Sequence, residues 1–299
     1  MSQRVLVLTL SSGLGANLAN NLSQHYYTYG SFWKKRIHLP NIISSRVDLT
    51  RKDSIERVMT QFRPDIVIYT PPIFGFYHAI ENPELIDLFL VKGTLNCAYA
   101  CERSNIHLVF ISNSCIFSGE NAPYHEDALS NPLSYLGGLY SHAETIVQKT
   151  LSRHTILRVA QFLAPSLSLQ NTFYDYLILK LLSEETVKID HKYKSGVSDL
   201  ALVFEVLQKV INDSTPPRIL NVTSSNSLSQ YQVGSLVAKK FGYNVDLLLA
   251  SDIEFPRDRR KYRDPSYKDK RDFTLSSEKL SEYLGKPILS LEEIIERMF

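Results

Sequence analysis

The first side chains and amides able to do chemistry lie at the start of the chain. An apolar run at residues 4–10 leads into Thr9-Leu10-Ser11-Ser12-Gly13-Leu14-Gly15, and a helix pattern covers 13–25. A strand, a glycine-bearing turn and a helix can hold a pyrophosphate, because the first amides of a helix lack partners of their own. An extended form of the dinucleotide pattern asks for glycine at positions one, four and seven of the turn, with the same roles for the three glycines. Here those positions are Thr9, Ser12 and Gly15, so only the glycine that lets helix and strand pack is in place, and Gly13 is an additional one. Ser12 puts a Cβ and a hydroxyl where backbone should meet phosphate, so it either donates to the anion or obstructs it. Lys34, Lys35 and Arg36 follow the second strand pattern. A cation there would meet an adenosine 2′-phosphate and select NADP over NAD; a solvated basic turn is the alternative. Asp48 and Leu49 fall where a third strand ends, a place for adenine contacts, and Asp48 would equally cap the helix that follows.

Other reactive groups are scattered. Tyr176 and Lys180 are the only Tyr–Lys pair four residues apart, a spacing that puts both on one helix face; a surface face accounts for them. His125, Glu126 and Asp127 share a loop and read as surface, and His78 and Glu81 sit near a helix start. Cys97 and Cys101 share a helix face, but a zinc site would need a second pair of ligands. Both read as small buried hydrophobes, and no metal site is expected. The basic run from Arg257 to Lys261 lies in a charged stretch, 251–270, that carries Pro256 and Pro265 and no apolar periodicity. It reads as a solvated loop.

The elements that must position these groups alternate. Strand patterns at 4–10, 26–32, 65–70, 106–112 and 155–159 are separated by helix patterns at 13–25, 52–61, 82–104 and 133–151. Continuous apolar strands between helices predict an α/β fold, a Rossmann-type doubly wound parallel sheet covered on both faces. After Ala164 the texture changes: helices at 171–183, 198–211, 229–241, 278–283 and 291–298, with short strands at 218–222 and 245–249. This predicts a nucleotide domain over 1–160, with a return segment near 195–222, and a smaller α/β domain over 161–299. The chain has 299 residues, 44% hydrophobic, with 33 Lys+Arg against 31 Asp+Glu. That composition excludes a disordered chain and argues against a general nucleic-acid binder. Three cysteines exclude a disulfide-stapled scaffold, and no apolar run approaches the roughly 20 residues of a membrane span. A soluble, cytoplasmic protein is expected, with the nucleus also open to it.

One stretch carries a resemblance. It reads Ile111-Ser112-Asn113-Ser114-Cys115-Ile116-Phe117-Ser118-Gly119, then Pro123-Tyr124-His125-Glu126, then Pro132 to Gly137 and on to Glu144. This resembles the extended short-chain dehydrogenase/reductase family, in the branch of dTDP-4-dehydrorhamnose reductase, whose motifs run I-S-[ST]-D-Y-V-F-D-G, P-Y-x-E and P-x-N-x-Y-G-x-[ST]-K-x-x-x-E. Residues 62–68, 81–84, 93–94 and 156–159 fit the same frame. Residues 27–36, 195–201, 220–238 and 271–280 resemble, within that branch, the regulatory β subunits of methionine adenosyltransferase. The resemblance implies a substrate-type second domain, NADP(H) as cofactor, and a methionine adenosyltransferase catalytic subunit as partner. Those subunits carry further C-terminal residues that reach into the catalytic subunit; a chain ending at Phe299 would meet its partner through another surface.

The family's chemistry needs a hydroxyl to polarise a carbonyl, a Tyr to deliver a proton, and a Lys four residues on to lower the pKa of that Tyr. By register these positions are Asn113, Leu136 and Tyr140. Leu cannot donate a proton and Tyr cannot supply a cation. The family's active-site asparagine falls on Leu90, and the small pair closing the fourth strand is Pro71-Pro72. The expectation is a non-catalytic protein that modulates an enzyme in S-adenosylmethionine synthesis. The rival is an NADPH-dependent reductase or epimerase of a nucleotide sugar using Tyr135 or Tyr140.

Overall fold

The structure is a computed structural model, and it describes residues 3–34, 36–71, 83–167, 172–252 and 271–298. Seven parallel strands form the main sheet: β1 (Arg4–Leu8), β2 (Tyr27–Phe32), β3 (Ile43–Arg46), β4 (Ile66–Tyr69), β5 (His107–Asn113), β6 (His154–Val159) and β11 (Ile219–Val222). Their order is β3-β2-β1-β4-β5-β6-β11. The chain thus reverses its direction of travel across the sheet beside β1, which opens a crevice at the carboxyl ends of β1 and β4.

Strand alternation feeds two separate cores. Val5 and Val7 enter one and Leu6 and Leu8 the other. Ile66 and Ile68 divide from Val67 and Tyr69 in the same way, and Val109 and Ile111 from Leu108 and Phe110. Both faces are apolar because both are roofed by helices, which is why these strands read as unbroken apolar runs. One roof contains α1 (Gly15–Leu22). The other contains α2 (Lys52–Phe62) and, past the short α3 (Pro83–Asp87), α4 (Thr94–Arg103) and α5 (Tyr135–Thr150).

The predicted helix over 82–104 is broken by a π turn, Leu88–Gly93, between α3 and α4. The expected cap of α2 also differs: Arg51 stands at the N-cap with no side-chain bond, and neither Asp48 nor Thr50 caps the helix.

The second half adds α6 (Phe173–Leu182), α7 (Leu200–Asn212), α8 (Gln230–Lys240), α9 (Glu278–Leu284) and α10 (Leu291–Arg297). Its strands form three small pairs: β7 (Gln161–Leu163) with β10 (Val197–Asp199), β8 (Val187–Asp190) with β13 (Leu248–Ser251), and β9 (Lys194–Ser195) with β12 (Leu228–Ser229). The strand expected over 245–249 begins as a 3-10 turn, Val245–Leu247, before β13. β11 returns to the main sheet beside β6. Arg297 holds the N-cap residue of α7, Asp199, through two bonds of 2.8 and 2.6 Å. Among the described residues no helix is long and apolar enough to cross a membrane.

Candidate functional site

The turn between β1 and α1 is held from within. Thr9 adopts the left-handed region at φ 72°, unusual for a β-branched residue. Its amide donates to Ser31 Oγ (3.0 Å) and its hydroxyl donates to the Thr70 carbonyl at the end of β4. Ser12 points its hydroxyl into the turn. Its hydroxyl donates to Thr70 Oγ1 (2.9 Å) and accepts the Gly15 amide (2.8 Å), so it is satisfied inside the turn. Gly15 has no alternative: a Cβ there would lie 2.3 Å from the Thr9 carbonyl oxygen. Hydroxyls have thus replaced two glycines while the bend survives. The amides of Gly13 and Leu14 have no acceptor among the described residues, and both residues are partly exposed. Those two amides, at the first turn of α1, are the groups that would receive a pyrophosphate. A Cβ on Gly13 would, however, stand 2.9 Å from Thr172 Cγ2. The turn therefore fits a dinucleotide in its donors, and the second half of the chain crowds its mouth.

Lys34 is exposed past the end of β2, with Nζ 4.2 Å from the centre of the Trp33 ring. It pairs with no carboxylate among the described residues, so its charge is free for an anion. Lys35 lies outside the described residues, as do Pro72, His78, Glu81 and the run from Arg257 to Lys261. Asp48 spends its carboxylate on Thr50, accepting from the amide (3.0 Å) and the hydroxyl (2.7 Å). The Leu49 side chain is buried, and its carbonyl accepts from Asn96 (3.0 Å).

The three family catalytic positions converge at the carboxyl end of β5. Asn113 ends that strand and accepts the Cys115 amide (2.8 Å), which starts a 3-10 turn, Ser114–Ile116. Leu136 is half-buried in the first turn of α5. Tyr140, one turn on, is 1% exposed, and its hydroxyl lies beside the Asn113 side chain without a well-formed hydrogen bond. Burial pushes its pKa well above the usual phenol value, and the nearby Cys115 and Tyr69 add to this. Tyr135, the other proton donor of the rival reading, has Leu139 four residues on, and Leu139 is buried. Leu90 lies in the π turn, 2% exposed, and Pro71 is buried just past β4. Tyr69 is fully buried and donates to the Phe89 carbonyl of that same turn (2.8 Å). Apolar and aromatic side chains thus occupy the positions where a proton path would start.

Cys115 is raised to about 12, by burial and then by the charge of Glu144. Cys97 and Cys101 are both buried, as expected, and the bond between them, with burial, raises Cys101 well above the usual thiol value. Among the described residues no three His, Cys, Asp or Glu side chains are grouped to hold a metal ion.

A buried ion pair at this end of the sheet was not legible in the motifs. Arg158 on β6 grips Glu144 on α5 through Nη2–Oε2 (2.8 Å) and Nε–Oε1 (3.1 Å), both side chains 4% exposed. Ser112 donates to Glu144 Oε1 (2.6 Å), and Arg158 Nη1 donates to the Glu126 carbonyl (3.0 Å). Glu126, expected at the surface, is 9% exposed, and its carboxylate accepts the Asn221 amide of β11 (2.9 Å). His125 beside it stays half exposed, 3.8 Å from Glu278. Three motif residues, Ser112, Glu126 and Glu144, are therefore joined as structure. Only the pairing of Glu144 with an arginine in the next strand, Ile156-Leu157-Arg158-Val159, could have signalled this beforehand.

With this geometry in view, comparisons with known proteins are informative. The Xenopus laevis methionine adenosyltransferase 2 subunit beta is 22% identical over 200 residues, 65% of this chain and 60% of that protein. The match thus spans about three-fifths of that relative's length. The Mus musculus protein of the same name is 20% identical over 246 residues, 80% of this chain and 72% of its own. A crystal structure of dTDP-4-dehydrorhamnose reductase from Bacillus anthracis in complex with NADP superposes with a TM-score of 0.80 at 18% identity, covering 99% of this chain and 98% of that one. At that identity the likeness is one of fold. The model of the RmlD substrate binding domain matches residues 3–299, and the chain belongs to that family of extended short-chain dehydrogenase/reductases.

Proposed function

We propose that this protein is a non-catalytic member of its family that binds a methionine adenosyltransferase catalytic subunit in the cytoplasm and modulates S-adenosylmethionine synthesis. The observation that carries the reading is Tyr140: a buried phenol without a well-formed hydrogen bond stands where the chemistry needs a lysine, with Leu136 where it needs a proton donor. The partner is argued from the resemblance to proteins named as methionine adenosyltransferase beta subunits. NADP(H) is proposed as a weak ligand, its pyrophosphate on the Gly13 and Leu14 amides and its adenosine phosphate toward Lys34. Bound NADPH would supply a hydride, but Leu136 has no proton to deliver and the Tyr140 phenol is buried at the position of the family's lysine. What remains for the turn is binding, which can order the sheet's carboxyl edge without turnover.

The test is NADPH oxidation with a dTDP-4-keto sugar, alongside the Tyr135→Phe and Tyr140→Phe variants. No turnover above the buffer rate is expected from any of the three. Turnover lost in either variant would make the protein a reductase with an unusual proton donor.

A further inference from the structure

At the amino end of the sheet, opposite the crevice, α2 and α4 both finish. The chain then enters the neighbouring strands β4 and β5. Between the two helix ends lies a cavity of about 510 Å³, within the usual range for small-molecule sites. Met59, Ala100 and Ile106 line it and are buried, so its floor is apolar. Arg63, Arg103 and Glu56 line it as well. Arg63 is the C-cap of α2 and takes the left-handed conformation, φ 50° and ψ 62°, where glycine or asparagine is usual. It is exposed, and its guanidinium pairs with no carboxylate among the described residues. Arg103 Nη1 binds Glu56 Oε1 (2.7 Å), and Lys52 Nζ approaches the same oxygen (3.8 Å). Counting Lys52, three cations stand here against one carboxylate, and the excess outweighs the partial negative charge of the two helix ends. The Arg103–Glu56 pair is exposed, so little is lost when Arg103 turns to another anion.

We propose that this cavity binds a small organic anion: an apolar body against Met59, Ala100 and Ile106, with a carboxylate or phosphate group taken by Arg63 and Arg103. A planar guanidinium suits either group through paired hydrogen bonds. Glu56 competes for Arg103, so the anion must displace it. The site lies at the other end of the sheet from the β1–α1 turn and stands whether or not that turn holds a dinucleotide.

The test uses the methionines. Isotopic labelling of their methyl groups gives NMR signals from Met1, Met59 and Met298, and of these Met59 lines the cavity. Phenyl phosphate, benzoate and neutral benzamide are titrated into the full chain. At least one of the two anions is expected to shift the Met59 signal saturably while Met298 stays still, and the tighter of the two identifies the head group. Benzamide is expected to give no shift. Arg63→Asn keeps a residue that tolerates the left-handed conformation and should weaken binding about tenfold. Glu56→Gln should tighten it by freeing Arg103. A Met59 signal that neither anion moves would overturn the site, as would one that moves equally in the wild type, Arg63→Asn and Arg103→Gln. A comparable shift with benzamide would show a hole that does not select anions, and would overturn the proposal as well.

Discussion

Arg158 and Glu144 face each other almost without water, and their energetics follow from that. Each charge lost its hydration on folding and is compensated by the other, by Ser112 and by the Glu126 carbonyl. Arg158→Met leaves Glu144 buried and unpaired, so a loss of about 3–5 kcal/mol is expected in urea denaturation. Arg158→Met combined with Glu144→Leu removes both charges and should recover most of it; two single variants near wild-type stability would show the pair is not desolvated. Tyr140 has the opposite sign. Its hydroxyl is buried without a well-formed hydrogen bond, so Tyr140→Phe removes an unmet desolvation cost. A gain of about 1 kcal/mol is expected in the same assay, and a clear loss would mean the hydroxyl has a partner in solution. At this scale the sequence was least informative. Serine at the fourth position of the turn left open whether its hydroxyl reaches a phosphate or blocks it, because the answer depends on Thr70, which comes from another strand. Glu126 read as surface because a charge alone carries no sign of the β11 amide that buries it.

Elements are held to each other at a few points of close approach. A Cβ on Gly137 would lie 2.1 Å from the Cys115 carbonyl oxygen, so α5 packs directly on the backbone of the 3-10 turn. Neither backbone has a flexible end to move, and Gly137→Ala should cost roughly 1–3 kcal/mol, read as a lowered Tm. His107, at the start of β5, contacts Thr155 Oγ1 of β6 (3.1 Å) and is lowered to about 4 by burial, with Arg153 and His154 nearby. The unfolded chain protonates this histidine near its ordinary value of about 6.5. Between about 6.5 and 4 the unfolded state therefore holds more protons, and stability falls as pH falls through that window. The contribution is complete above the window and amounts to roughly 3 kcal/mol. Denaturation at several pH values should show His107→Gln with a flatter profile than the wild type; an unchanged slope would remove His107 as the source. Elements were the most legible scale. Unbroken apolar strands such as 66–69 and 107–111 required two roofs, and helix periodicity supplied them. The π turn at Leu88–Gly93 escaped because one extra residue in a helix leaves apolar spacing almost intact.

At the scale of the whole molecule, strand order and crevice are those of a Rossmann-type fold, and Asn113, Leu136 and Tyr140 stand at the positions that the resemblance assigns to the family's chemistry. The framework was readable because it depends on patterns spread over many residues. The approach of Thr172 to Gly13 was not, because it joins positions far apart in the chain. The proposed reading has the protein act through its surface. The most direct test is sedimentation velocity of the purified protein mixed with a methionine adenosyltransferase catalytic subunit, with and without NADPH. A faster-sedimenting complex at micromolar concentrations, retained by Tyr140→Phe, is the predicted result. Independent sedimentation of the two proteins at every concentration, together with NADPH consumption on a 4-keto nucleotide sugar, would contradict the account.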